Sequence, residues 1–275
     1  MRFIFIFALL NCTLLMAKPS AFDLQTLPIS KEAKQNFAIQ KPQILEFKGQ
    51  KYKIFIATNK DFNTKQKAKA FYLLDANRHF PLLLNNLAAE SIKIPVIIVG
   101  IGYETTLGYD KAGRTRDYTP KVLENVGNAE FIGGGGEGRF FDFLSQILKP
   151  QIQKTYPNID KSALFGHSFG GLFTLNALLN HALIFDAYFI ASPSIWWDNA
   201  SFVPKTIKFD KCPQILITKG ELEKNRHNTK ISLQELILSI KKSCKLEFKE
   251  FENENHGSVI PLSLVLAFKE FIKSH

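Results

Sequence analysis

Ser162-Ala-Leu-Phe-Gly-His-Ser-Phe-Gly-Gly-Leu-Phe173 sets Ser168 inside a Gly-x-Ser-x-Gly pentapeptide that follows an apolar run and opens a glycine-led helix start. An apolar strand, a sharp turn and a helix in succession form the context of a nucleophile elbow, where the serine stands on a turn too tight for bulky neighbours. Gly166 and Gly170 read as close-approach positions, and Gly171 extends the same relief into the helix. A serine hydroxyl is weakly nucleophilic until a base takes its proton. The pattern therefore predicts a serine hydrolase or acyltransferase, with an acid and then a histidine later in the chain.

Outward from the elbow, short and almost wholly apolar runs occur at residues 70–74, 94–99, 163–165, 185–191, 214–218 and 246–251. Helical patterns at residues 80–90, 140–154, 172–180, 229–241 and 260–273 separate most of them. Uninterrupted apolar runs suit strands covered on both faces, and strands alternating with helices predict an α/β fold built on a mostly parallel, doubly wound sheet. Residues 44–47 and 52–57, flanking Gly49, read as an N-terminal β-hairpin, and residues 18–42 as loop-like. The run Gly133 to Gly136 is not a phosphate cradle, because it leads into Arg139 and Phe140 rather than Gly-Lys-Ser/Thr. It reads either as a mobile loop near the site or as a plain connector.

With 275 residues, 45% of them hydrophobic, and no break in composition, the chain is expected to form a single domain over residues 18–275. Residues 1–17 read as an export signal: Arg2 supplies a charge, residues 3–10 and 14–16 are apolar, and Ala17 offers a small residue for cleavage. That apolar stretch is shorter than the roughly 20 residues a spanning helix needs, so a periplasmic protein with no stable membrane insertion is expected after cleavage. Removal of Cys12 with the leader leaves Cys212 and Cys244, each just before an apolar strand. In an oxidising compartment such an even pair predicts one disulfide, the alternative being two buried free thiols. The net charge of +10 comes mostly from lysine, which implies a diffuse solvated coat. No zinc-finger, RNP or basic-helix pattern accompanies it, so nucleic-acid binding is not expected.

His256, in Asn255-His-Gly-Ser258 between the last strand and the last helix, occupies the place of the final catalytic loop of an α/β-hydrolase and is the predicted general base. His167 reads as pointing away inside the elbow. The acid that orients the imidazole should follow the strand at 214–218. Glu223 is preferred there, because three residues beyond Gly220 leave room to turn under the histidine; Glu221, Asp198 and a Ser-His pair without an acid are the alternatives. Two backbone donors are needed for the oxyanion: the amide of Phe169, after the nucleophile, and the amide of Asn77, after the strand at 70–74. Asp75 reads as a brace for that turn.

Leu73-Leu-Asp-Ala-Asn77, Gly100-Ile-Gly-Tyr103, Arg116-Asp-Tyr-Thr-Pro120, the glycine run before Arg139, Gly166-His-Ser-Phe-Gly-Gly-Leu-Phe173, Ala191-Ser-Pro-Ser194 and His256-Gly257 together cover most of the chain after residue 17. With these motifs the chain resembles the esterase D-type α/β-hydrolases, and within them the periplasmic siderophore trilactone esterases. The resemblance implies hydrolysis of the trilactone backbone of enterobactin-like catecholate siderophores, with Ser168 and His256 catalytic and Arg116 approaching the anionic ligand. The chemistry of a ferric tris-catecholate, large, anionic and aromatic, points the same way. Arg114, Arg116 and Arg139 could supply charge, and Tyr103, Tyr118, Trp196 and Trp197 could supply faces. The mechanism requires no metal and no organic cofactor, iron arriving only within the substrate, and a monomer or weak dimer is expected. A generic exported acyl esterase and a non-catalytic siderophore-binding protein on the same scaffold are the competing readings.

Overall fold

The computed structural model describes residues 25–181, 184–224 and 229–274. The predicted export signal with Cys12, together with His227 and His275, lies outside the described residues. Chain order begins with α1 (Lys31–Asn36), β1 (Phe37–Ile39), β2 (Gln43–Phe47), β3 (Gln50–Asn59), β4 (Ala68–Leu73), α2 (Ala76–Asn86) and β5 (Val96–Gly102). It continues with α3 (Lys111–Tyr118), then α4 (Glu137–Asp142), which runs through one π-helical stretch (Phe143–Leu148) into α5 (Lys149–Thr155). After these come β6 (Ile159–His167), α6 (Phe169–Asn180), β7 (Ala187–Ala191), β8 (Gln214–Gly220), α7 (Leu233–Lys241), β9 (Glu247–Phe251) and α8 (Val259–Lys273).

The strands form one sheet in the order β1-β3-β5-β4-β6-β7-β8-β9, with β2 also paired to β3. From β5 to β9 all neighbours run parallel, whereas β1, β2 and β5 each meet β3 antiparallel. Side chains alternate across a strand, so adjacent residues serve opposite faces. Phe71, Ile98, Phe165, Phe189 and Leu216 pack under α2 and α8 on one face. Tyr72, Val99, Leu164, Tyr188 and Ile217 pack under α4 to α7 on the other. Apolar runs without polar alternation follow from this two-sided burial.

Three local expectations differ from the structure. Within residues 18–42, read as loop, Ser30 caps α1 by accepting the amide of Ala33 at 3.1 Å, and β1 then pairs with β3. The helix placed at 80–90 begins at Ala76, because Asp75, at φ 54°, turns the chain straight out of β4. Helix α3 went unread: its sequence, KAGRTRDY, carries almost no apolar periodicity, and Asp110 starts it by accepting the amide of Gly113 at 2.8 Å. The glycine run packs against α3, with Gly136 donating to the Arg116 carbonyl at 2.8 Å and Gly135 to that of Thr119 at 3.2 Å.

Cys212 and Cys244, ahead of the parallel neighbours β8 and β9, form a disulfide with Cα atoms 5.5 Å apart. Ser168, Ser192, Glu223 and His256 all stand just beyond the carboxyl ends of β6 to β9. In open parallel sheets this is the edge where ligand sites form.

Candidate active site

Ser168 adopts φ 60° and ψ −116° between β6 and α6, a conformation that non-glycine residues seldom take and that neighbouring contacts must enforce. Its amide donates to Ala191 at 3.0 Å, and its carbonyl accepts from Leu172 at 2.8 Å and Ser194 at 3.2 Å. A Cβ on Gly166 would lie 2.1 Å from the Gly170 carbonyl oxygen, and one on Gly171 would lie 2.5 Å from that of Ala191. A Cβ on Gly170 would meet nothing nearer than 3.5 Å, so the steric demand falls on Gly166 and Gly171 rather than on the second glycine of the pentapeptide.

The His256 ring presents Nδ1 to Glu223 Oε2 at 2.8 Å. The other carboxylate oxygen of Glu223 accepts from the Ser192 hydroxyl and the Gly220 amide, each at 2.6 Å. Burial alone would raise the pKa of Glu223; hydrogen bonds from His256, Ser192 and Gly220 outweigh it and hold the carboxyl below its usual range. A carboxylate on Nδ1 fixes the tautomer that leaves Nε2 free to take a proton. Asn255 shapes the His256 loop, its Oδ1 accepting the amides of Gly257 at 2.9 Å and Ser258 at 3.0 Å. Ser168 Oγ lies 3.3 Å from Ser194 Oγ.

The alternative acids are engaged elsewhere. Glu221 accepts the Asn253 amide at 3.0 Å, and Asp198 is bound to the amides of Leu123, Glu124 and Asn125. His167, read as pointing away, instead donates from Nε2 to the His256 carbonyl at 2.8 Å, and the two rings lie 4.7 Å apart. Burial, with His256, His79 and Arg114 nearby, pushes its pKa well down, so the ring is neutral. Only its place immediately before Ser168 could have signalled this contact.

The amides of Phe169 and Asn77 occupy the first turns of α6 and α2, where no intrahelical acceptor exists. Asn77 is held by its side chain, which donates to the carbonyls of Tyr103 at 3.0 Å and Thr105 at 3.2 Å and accepts the Tyr103 amide at 2.8 Å. Asp75 receives Arg114 at 3.0 and 2.9 Å, an ion pair linking the α2 turn to α3. The charge of Arg114 is therefore spent inside the protein. Arg116 forks onto buried Asp117 at 2.8 and 2.6 Å while remaining partly exposed, and Arg139 stands 3.8 Å from the same carboxylate.

Three residues expected to offer substrate faces, Tyr103, Tyr118 and Trp197, are core residues. The Tyr103 ring is packed between Tyr52 and Tyr118, with its hydroxyl on Asp117 at 3.2 Å. Tyr118 is likewise fully buried, its hydroxyl accepting the Asp75 amide at 3.2 Å. Trp197 is fully buried and donates Nε1–H to the Pro120 carbonyl at 3.0 Å. Burying such large rings removes more apolar surface from water than a rim position could, which is why they lie inside. Trp196 is partly exposed and packs on Phe169 and Phe131. Among the described residues, no group of three or more His, Cys, Asp or Glu side chains is arranged to hold a metal ion, and no helix is long and apolar enough to cross a membrane.

A histidine with a carboxylate on Nδ1 and a strained serine, both beyond the carboxyl ends of one parallel sheet, are the parts of an acyl-transfer site, and a family model of esterases matches residues 46–256. The chain belongs to the esterase family. This esterase is an ester hydrolase on an α/β-hydrolase fold. It is 33% identical over 243 residues to the ferri-bacillibactin esterase BesA of Bacillus subtilis, covering 79% of this chain and 83% of that one. It is 29% identical over 239 residues to a siderophore enterobactin esterase of Emericella nidulans, covering 71% and 79% respectively. The solved structure of the siderophore hydrolase EstA from Aspergillus nidulans superposes with a TM-score of 0.71 at 27% identity, covering 90% of this chain and 97% of that one.

Proposed function

We propose that this esterase is a periplasmic serine hydrolase that opens the trilactone backbone of ferric enterobactin-like catecholate siderophores. The observation that carries the catalytic half is the Glu223–His256 hydrogen bond at the strand end beside the Ser168 elbow. In this reading His256 Nε2 takes the Ser168 hydroxyl proton as Oγ attacks a lactone carbonyl. The amides of Phe169 and Asn77 receive the developing oxyanion. As the tetrahedral intermediate collapses, the ester C–O bond breaks and the imidazolium returns the proton to the departing seryl hydroxyl. Water, deprotonated by the same ring, then releases the linear product from the acyl-enzyme.

Neither a metal nor an organic cofactor is needed, and iron enters only with the substrate. The siderophore substrate is supported by the names of the relatives, two of them esterases of ferri-bacillibactin and enterobactin. Partly exposed Arg116 and Trp196 give an anionic, aromatic ligand a cation and a ring face. Export rests on the apolar leader at residues 1–17.

Incubation with ferric enterobactin, followed by chromatography, is expected to yield linear trimer, dimer and monomer, and Ser168→Ala is expected to abolish them. Turnover of simple p-nitrophenyl esters alone would reject the siderophore. Tight siderophore binding without turnover, unchanged by Ser168→Ala, would reject the enzyme. An exported fraction still carrying residues 1–17 by mass would reject leader cleavage.

A further inference from the structure

Past the carboxyl end of β7 the chain turns through Ser192, Pro193 and Ser194, a short segment that contacts the acid at one end and the nucleophile at the other. Ser192 takes φ 45°, a left-handed conformation that surrounding contacts must enforce. Its amide donates to the Thr218 carbonyl at 2.8 Å and its hydroxyl to Glu223 at 2.6 Å. Pro193 is pressed onto the start of α6: a Cβ on Gly171 would lie 3.2 Å from the Pro193 Cα. Ser194 then donates its amide to the Ser168 carbonyl at 3.2 Å, while its own carbonyl accepts from Trp197 at 3.2 Å. Both serines are buried. A segment held at each residue leaves the Ser194 side chain little freedom, and that side chain meets the nucleophile, Oγ to Oγ, at 3.3 Å.

Among the described residues, Ser168 Oγ is the one hydrogen-bond partner of the Ser194 hydroxyl. Each hydroxyl has one proton to donate and two lone pairs with which to accept. For Ser168 to give its proton to His256 Nε2, its own O–H is committed to the imidazole, and the bond between the two serines must run from Ser194 to Ser168. A donor on Oγ fills one lone-pair direction. It thereby turns the Ser168 proton towards the base and the remaining lone pair towards the ester. At 3.3 Å the bond is longer than the usual hydroxyl bond of about 2.8 Å. Such bonds tighten as the reacting oxygen gains charge, so this one contributes more in the transition state than at rest.

We infer that Ser194 is a further catalytic residue, whose hydroxyl donates to Ser168 Oγ and aims the nucleophile during attack. The inference rests on Ser168 being the nucleophile. In the step it serves, the Ser168 proton passes to His256 Nε2, the electron pair left on Oγ forms the bond to the ester carbon, and the carbonyl π pair moves onto the carbonyl oxygen. Ser194 keeps its own proton throughout. Once the acyl-enzyme has formed, Oγ is an ester oxygen with no proton to aim, and water attacks in its place. Ser194 therefore acts on acylation rather than on the attack of water.

Single-turnover kinetics with p-nitrophenyl acetate and enzyme in excess separates the two steps. Release of p-nitrophenolate gives the acylation rate, and loss of the acetyl group from the Ser168 peptide, followed by mass, gives the deacylation rate. Ser194→Ala removes one oxygen from a buried position and adds no bulk. It is expected to slow acylation at saturation about tenfold, as for one lost hydrogen bond to an oxygen gaining charge, with the half-saturating concentration little changed and deacylation within about threefold of wild type. Ser194→Thr keeps the hydroxyl and is expected to acylate within about threefold of wild type. Unchanged acylation in Ser194→Ala overturns the inference, as does an equal slowing of both steps, the mark of a merely distorted site. Faster acylation also overturns it, because Ser194 would then hold the Ser168 hydroxyl away from the base. A folded Ser194→Thr variant as slow as Ser194→Ala has the same force. Turnover surviving in Ser168→Ala sinks the serine esterase itself, whereas Ser168 acetylated at the wild-type rate in Ser194→Ala sinks the role of Ser194 alone.

Discussion

Glu223 accepts hydrogen bonds from His256, Ser192 and Gly220, and each opposes its protonation and fixes its direction. Glu221, two residues away, instead meets the Asn253 amide and has no bond to the imidazole. Replacing Glu223 by Gln keeps the size, removes the charge facing the imidazolium and mismatches its tautomer. Glu223→Gln is therefore expected to reduce kcat by at least about a hundredfold, with KM little altered, as for other carboxylates in this role. Glu221→Gln should stay within about twofold in steady-state assays. Equal, small effects of the two changes would leave a Ser-His pair working without an acid. At this scale the sequence supplied the candidates, Ser168, His256 and two glutamates, but ranking the glutamates needed the direction of each side chain.

Strand ends β8 and β9 carry Glu223 and His256 at one edge and the Cys212–Cys244 disulfide at the other. The bridge closes a loop of 32 residues and thereby restricts the unfolded chain. In the chain-entropy picture that is worth about 3 to 4 kcal/mol. For a domain of this size such a loss corresponds to a Tm lower by about 10 °C. Cys212→Ser is expected to show that drop in calorimetry while retaining the kcat of the intact protein, since the sulfurs are remote from the reacting edge. A Tm within about 2 °C of wild type would show that the bridge contributes nothing to folding stability. Elements with strong local signals were legible: apolar runs became β4 to β9, and the glycine-led segment became α6. Helix α3 was illegible because a polar helix capped by Asp110 carries no apolar period, and α2 was misplaced because its start depends on a left-handed residue at Asp75.

Over the whole molecule, buried histidines tie stability to pH. His79 is fully buried, contacting the Leu74 carbonyl at 2.9 Å and the Tyr109 hydroxyl at 3.2 Å. Burial pushes its pKa down to about 4. An unfolded chain takes up that proton near pH 6.5, so the unfolded state binds more protons between pH 6.5 and 4 and stability falls as pH drops through that window. The loss from His79 is roughly 3 kcal/mol by pH 4, and His167, shifted in the same direction, adds to it. Urea midpoints at pH 7 and pH 4.5 are expected to differ less in His79→Gln than in wild type; identical pH dependence in both would remove His79 as a cause.

The sequence by itself determined the alternation of strands and helices and the strand-turn-helix at Ser168, and it offered Ser168, Glu223 and His256 as candidates. Each depends on chain-local physics: apolar period, tight-turn sterics and the chemistry of single side chains. Only the tertiary structure decided that Glu223 rather than Glu221 or Asp198 meets His256, that Tyr103 and Trp197 are core rather than rim, and that His167 holds the His256 loop. Those outcomes depend on which strand ends lie side by side and which face of each loop is buried, and long-range packing sets both.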